Sequence, residues 1–176
     1  MGRRVAAVVA PITGYGGYLP QGSGGLPMQR PFRLFVTALL SLVPIGASAG
    51  NFVAHCTGDA EVPPVDTAGQ CQTVFKVRGD GLDYRLVIAN VREVVAAHLH
   101  CAPEGVNGPI GITLFGGAPV STSGILAQGP ILAPDIGNGC NWVDLDDVIA
   151  ALAAGDTYVN VHTVANPAGE VRGQVR

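Results

Sequence analysis

The sequence predicts an all-β fold, an antiparallel β-sandwich or barrel carrying one short helix. Seven or eight short runs of apolar–polar alternation follow one another after residue 50, which is the pattern of half-buried strands. Glycine and proline, 25 and 13 of the 176 residues, punctuate those runs as turn formers. A single stretch, 144–154, carries helical spacing instead.

Asn51 to Thr57 opens the domain as a strand, and the Pro- and Gly-containing segment 58–69 is a loop or bulged edge. In 70–78, QCQTVFKVR, Cys71, Thr73, Phe75 and Val77 take the inner side. Asp80-Gly81 signals a hairpin, with Leu82 to Asn90 returning. Strands follow over Val94 to Cys101 and Ile110 to Phe115, separated by a turn-rich loop at 103–109, with a short strand near Gly124 to Ala127. In DLDDVIAALAA, Leu145, Val148, Ile149 and Leu152 recur at helical spacing. Acids crowd its first turn, where the helix dipole favours them, and Gly155 is the stop. Asp144, Asp146 and Asp147 are therefore read as a helix start, since they lack calcium-loop spacing. Thr157 to Val164 and Glu170 to Val175 complete the set, joined by the turn Asn166-Pro167-Ala168-Gly169.

The first fifty residues lack strand patterning. Residues 28–49 read as a cleavable signal peptide: Arg30 and Arg33 are positive, Leu34 to Leu42 is a short apolar core, and Ala47-Ser48-Ala49 offers the small residues a signal peptidase accepts. Residues 1–27 show neither core nor charge pattern and are read as an extended n-region or the product of an upstream start codon. The expected mature domain is 50–176, exported to the periplasm or secreted. No apolar run within it is long enough to span a bilayer. The formal net charge of -3 offers no basic footprint for nucleic acid. No phosphate loop or G-x-S-x-G element is present either.

All four cysteines follow the expected cut. An even number in a small exported domain reads as two disulfides. Three pairings are open. Cys56–Cys71, closing the Pro-rich loop, and Cys101–Cys140, tying a strand end to the segment before the helix, is the favoured set. No C-x-x-C spacing supports a zinc–cysteine site.

Three segments carry a resemblance: CTGDAEVPPV (56–65), AHLHCAPEGVNGPIG (97–111) and AGDTYVNVHTVANPAGEVRGQV (154–175). They are similar to the CHRD domain, a family named from chordin and found also in exported bacterial proteins. The resemblance spans about 52–176 and implies a β-sandwich of immunoglobulin-like or barrel-like form. It fixes no biochemical function, and the growth-factor binding of chordin does not carry over to a stand-alone domain. The expected function is thus a non-catalytic binding or structural module for an unspecified protein or small ligand.

Three of the four histidines lie in those segments. His98 and His100, two apart on one strand, share a face, and His162 sits on another strand. Three imidazoles meeting at one point suit copper or zinc. The arrangement also resembles copper/zinc superoxide dismutase, where an H-x-H strand and a later histidine strand hold copper. No histidine lies between His100 and His162, so a dinuclear site is excluded and a mononuclear one remains as the alternative function, with superoxide-dismutase-like redox activity. A single ion requires the ring nitrogens to converge within about 4 Å, because metal–nitrogen bonds are near 2 Å. Asn160 shares a face with His162 and is expected to orient its ring. Glu170 and Arg172 share a face as a charge pair or recognition pair, and Glu104 or Glu170 are candidate added ligands. Against the metal stands a structural role, in which the histidines fasten the 103–109 loop through its carbonyls. His55 lies outside the motifs and is read as a surface residue.

Overall fold

A computed structural model describes residues 50–176, so the extension at 1–27 and the expected signal peptide at 28–49 lie outside the described residues. Eight strands and one helix follow: β1 (Asn51–Thr57), β2 (Gln70–Arg78), β3 (Gly81–Ala89), β4 (Val94–Cys101), β5 (Ile110–Val120), β6 (Gly124–Ile131), α1 (Leu145–Ala154), β7 (Thr157–Thr163) and β8 (Val171–Gln174). All strand pairs are antiparallel, in one sheet of order β5-β4-β7-β8-β1-β2-β3-β6. The sheet curls until its ends approach. Tyr84 on β3 donates its hydroxyl to the Leu114 carbonyl on β5 at 2.6 Å. The result is a nearly closed barrel or sandwich with one short helix.

The alternating strands aim one parity inward. Phe75 of β2, Leu82, Leu86 and Ile88 of β3, Leu99 of β4, and Val159 and Val161 of β7 are buried there. Each such side chain contributes about 1.5–3 kcal/mol relative to exposure. α1 adds Val148 and Leu152 to this core. Asp144 starts the helix by accepting from the Asp146 and Asp147 amides, and Gly155 ends it at φ 75°. The acidic cluster is thus accounted for by a capped helix start.

Both expected disulfides form, Cys56–Cys71 and Cys101–Cys140, and no cysteine is free. The first joins residues directly opposite each other on β1 and β2. Among the described residues no helix is long and apolar enough to cross a membrane.

Several boundaries differ from expectation. β3, β7 and β8 each stop one residue short, at Ala89, Thr163 and Gln174, and β8 starts one residue late, at Val171. Three further differences have a visible cause. The β2–β3 hairpin turns on Gly79-Asp80, one residue earlier than expected, because Gly79 takes φ 61° and Arg78 pairs with Gly81. A glycine in the first loop position suits the two-residue hairpin turn. β5 continues past Phe115 to Val120, and β6 continues past Ala127 to Ile131. Register shifts in the β4–β5 and β3–β6 ladders absorb the extra residues, so glycines that read as strand ends lie within bulged strands.

The other parity of β4, β7 and β8 faces away from the core. His100, Tyr158, Asn160 and Arg172 are nevertheless buried. The loops at 58–69 and 103–109 bond to this face. The candidate site lies there.

Candidate metal centre

Strand register brings the histidines together. β4 and β7 run antiparallel with His98 opposite Asn160, His100 opposite Tyr158 and Ala96 opposite His162. His98 and His162 are therefore diagonal neighbours on one face, a separation that long side chains bridge. His98 Nδ1 lies 3.0 Å from His162 Nε2. One nitrogen from each of His98, His100 and His162 falls within 4.8 Å of the others. Nitrogens bound to a single ion sit about 3–4 Å apart, so the widest gap lies outside the expected span of about 4 Å, and a single ion would require a ring to move by about 1 Å.

Two backbone carbonyls orient the rings. His100 Nδ1 lies 3.0 Å from the Gly108 carbonyl, and His162 Nδ1 lies 3.0 Å from the Pro167 carbonyl. A carbonyl only accepts, so both Nδ1 atoms carry hydrogen and both Nε2 atoms present lone pairs. His162 Nε2 meets His98 Nδ1, which then donates to it. His100 Nε2 is buried and has no partner. A buried lone pair with no donor costs free energy of about 1–3 kcal/mol.

Electrostatics keep the cluster neutral. Burial, aided by the charges His162 and His100 would carry, lowers the His98 pKa to about 4. Burial also lowers His100 to about 4, although the Gly108 bond acts in the opposite sense. His162 is lowered by burial too. At neutral pH the three rings are imidazoles, the form that binds metals.

A buried polar layer lies behind them. The Tyr158 ring stacks on His100 with centroids 4.6 Å apart and planes 5° apart. The Arg172 guanidinium carbon is 3.5 Å from the centroid of that tyrosine ring. Two groups this close to the ring centre must occupy opposite faces, so Arg172, Tyr158 and His100 form a stack. Arg172 also donates to Asn107 Oδ1 at 2.9 Å and to the Val106 carbonyl at 2.7 Å. It thereby holds the loop whose Gly108 carbonyl orients His100. Asn107 in turn donates to the Val62 carbonyl, joining this loop to the neighbouring one.

The other candidates stand apart from the triad. Asn160, expected to orient the His162 ring, gives its amide to Glu61 at 2.7 Å, and the Pro167 carbonyl holds the ring instead. Glu170 is buried and accepts from Thr67, Thr163 and Asn166, so its carboxylate is satisfied away from the histidines. Glu170 and Arg172 make no ion pair with each other, because one turns to threonine hydroxyls and the other to the 103–109 loop. Glu104 pairs with Arg176 on the surface. His55 is exposed on β1.

Three residues at the site escaped the sequence reading. Tyr158 was within reach of it, since it shares parity with Asn160 and His162 in TYVNVHT. Glu61 lies in an aperiodic loop, where nothing signals burial, yet burial raises its pKa to about 7 against the attraction of Arg172. Asp135 accepts from the Thr113 amide and hydroxyl, and its charge acts on His98 in favour of the protonated ring.

The sequence model of the CHRD domain family matches residues 52–175. No curated protein and no solved structure matches the chain.

Proposed function

The chain belongs to the CHRD domain family, and from that premise we propose that it is an exported binding module that holds one copper or zinc ion between His98, His100 and His162. The observation that carries this reading is the His100 ring. Its Nδ1 is fastened to Gly108, and its buried Nε2 has no partner while lying in reach of two further imidazoles. A metal ion satisfies that lone pair, and the other two rings complete a three-nitrogen set. Binding exchanges the His98–His162 hydrogen bond for two metal–nitrogen bonds. His98 would then carry its hydrogen on Nε2. Three ligands leave a coordination position open, and a copper ion held this way is the form in which superoxide-dismutase-like redox activity would arise. The two disulfides suit an oxidising compartment.

Metal analysis tests the proposal. Protein recovered from the periplasm or culture fluid should carry close to one copper or zinc per chain. The His98→Ala/His100→Ala double variant should carry almost none. Equal metal content in the two proteins ends the reading. A second reading has the rings acting only as fasteners of the loops, and the Gly108 and Pro167 carbonyl bonds favour it. Under it, wild-type protein has no stoichiometric metal and its melting temperature ignores added Cu or Zn.

A further inference from the structure

The buried layer behind the triad bears on which ion the site prefers. Resting on the metal-site reading above, we propose that the site favours monovalent over divalent ions, holding Cu(I) in preference to Cu(II), because the permanent charge of Arg172 is stacked behind His100 through Tyr158.

Three observations carry this. The donor set is three neutral imidazoles. Among the described residues no carboxylate or thiolate joins the cluster, and every cysteine is in a disulfide. The ligands therefore neutralise none of the ion's charge, and the surroundings feel all of it. Next, Arg172 is 2% exposed and forms no ion pair among the described residues. Its partners are an amide oxygen, a backbone carbonyl and the tyrosine face, none of which carries a full negative charge. Burying a cation is costly, and Arg172 has no ion pair at contact distance; Glu61 acts on it only through space. Last, the stack sets the distance. The guanidinium carbon lies 3.5 Å from the Tyr158 centroid, and the His100 centroid lies 4.6 Å beyond it. An ion bound at His100 Nε2 lies in the plane of that ring, beside the stack and not at its end, on the order of 10 Å from the fixed charge. At the effective dielectric of such sites, one additional unit of charge on the ion weakens binding roughly tenfold.

Two carboxylates counter this charge: Asp135, whose charge acts on His98, and Glu61. Glu61 lies on the 58–69 loop, takes a hydrogen bond from Asn160 of β7, and is attracted by Arg172 of β8. When ionised it offsets part of the guanidinium charge. Removing its charge should therefore strengthen the preference for Cu(I), whereas removing the charge of Arg172 should weaken it. Protons that compete for the imidazoles affect both oxidation states alike, so the affinity ratio isolates the charge effect.

The experiment measures that ratio on the exported protein. Cu(I) is buffered with bathocuproine disulfonate under anaerobic ascorbate, and Cu(II) is buffered with glycine, both at pH 8. Wild type should bind Cu(I) more tightly than Cu(II). Arg172→Met should lower the Cu(I)/Cu(II) ratio about tenfold, equivalent to about 59 mV in the one-electron potential, and Arg172→Lys should leave it close to wild type. Glu61→Gln keeps an amide oxygen for Asn160 and should raise the ratio, which decides the matter if Arg172→Met does not fold. Failure of either copper state to bind overturns the metal-site reading itself. Tight copper binding with a ratio unmoved by Arg172→Met and Glu61→Gln, or a wild type that prefers Cu(II), overturns the charge-selectivity proposal alone.

Discussion

Acid should weaken the metal-free fold, and two substitutions should change that sensitivity in opposite directions. His98 and His100 ordinarily titrate near 6.5, and the fold lowers both to about 4. Between these values the unfolded chain binds a proton that the folded chain refuses. Their stabilisation is complete above 6.5 and is lost as pH falls towards 4. For His100, which is 8% exposed, the whole effect is about 3 kcal/mol. His98 is more exposed and contributes less, because solvent screens it. His162 is shifted in the same direction. Glu61 opposes them. Its ordinary value of 4.5 rises to about 7 in the fold, so the folded chain holds a proton that the unfolded chain releases. Its stabilisation is complete below 4.5 and is lost as pH rises through 7. In the window from 4.5 to 6.5 each group changes the slope of stability against pH by about 1 kcal/mol per pH unit. Glu61 thus cancels roughly one histidine in the wild type. Glu61→Gln should steepen the loss of stability on acidification by about 1 kcal/mol per pH unit, and His100→Gln should flatten it by a similar amount. Urea unfolding in EDTA at half-unit pH steps reads the slopes directly. The slope is independent of any packing change that shifts all points equally. Three parallel lines for wild type, Glu61→Gln and His100→Gln would refute the reasoning.

Other perturbations test the packing and the processing. Gly111→Ala should destabilise by about 1–3 kcal/mol in urea unfolding, because the new Cβ collides with the Trp142 ring. Gly169→Ala should lower the melting temperature and weaken metal binding together. Its backbone sits at φ 131°, and a Cβ there runs into Asn160 and Glu61 behind the site. Replacing Cys101 and Cys140 with alanine opens a 39-residue span and should cost about 2–4 kcal/mol, read as a lower melting temperature under non-reducing conditions. Intact mass of the exported protein should place its N-terminus at Gly50, and a mature chain beginning before residue 40 would exclude a signal peptide at 28–49.

Much of the fold was legible because the strand period is local. β1 and β2 end where the alternation ends, and β4 does too. The helix has its capping residue and its stop written beside it in Asp144 and Gly155. β5 and β6 were underestimated because bulges let glycines remain inside paired strands, and a bulge depends on the partner strand. The same division runs through the site. Period two places His98 with His100, and Asn160 with His162, on shared faces from sequence alone. Their meeting depends on β7 lying beside β4 in one particular register, although β5, β6 and α1 separate them along the chain.

The sequence by itself determined an all-β domain of the CHRD family, an even set of cysteines and the three histidines worth watching, because periodicity, residue type and motif are properties of short stretches of chain. The tertiary structure alone decided what surrounds those histidines. It turned Asn160 to Glu61, sent Arg172 to the 103–109 loop and the face of Tyr158, and left His100 Nε2 buried without a partner. Burial, hydrogen-bond satisfaction and the field of a fixed charge are set by groups distant in sequence, 65 residues apart for Arg172 and Asn107. No local pattern encodes them.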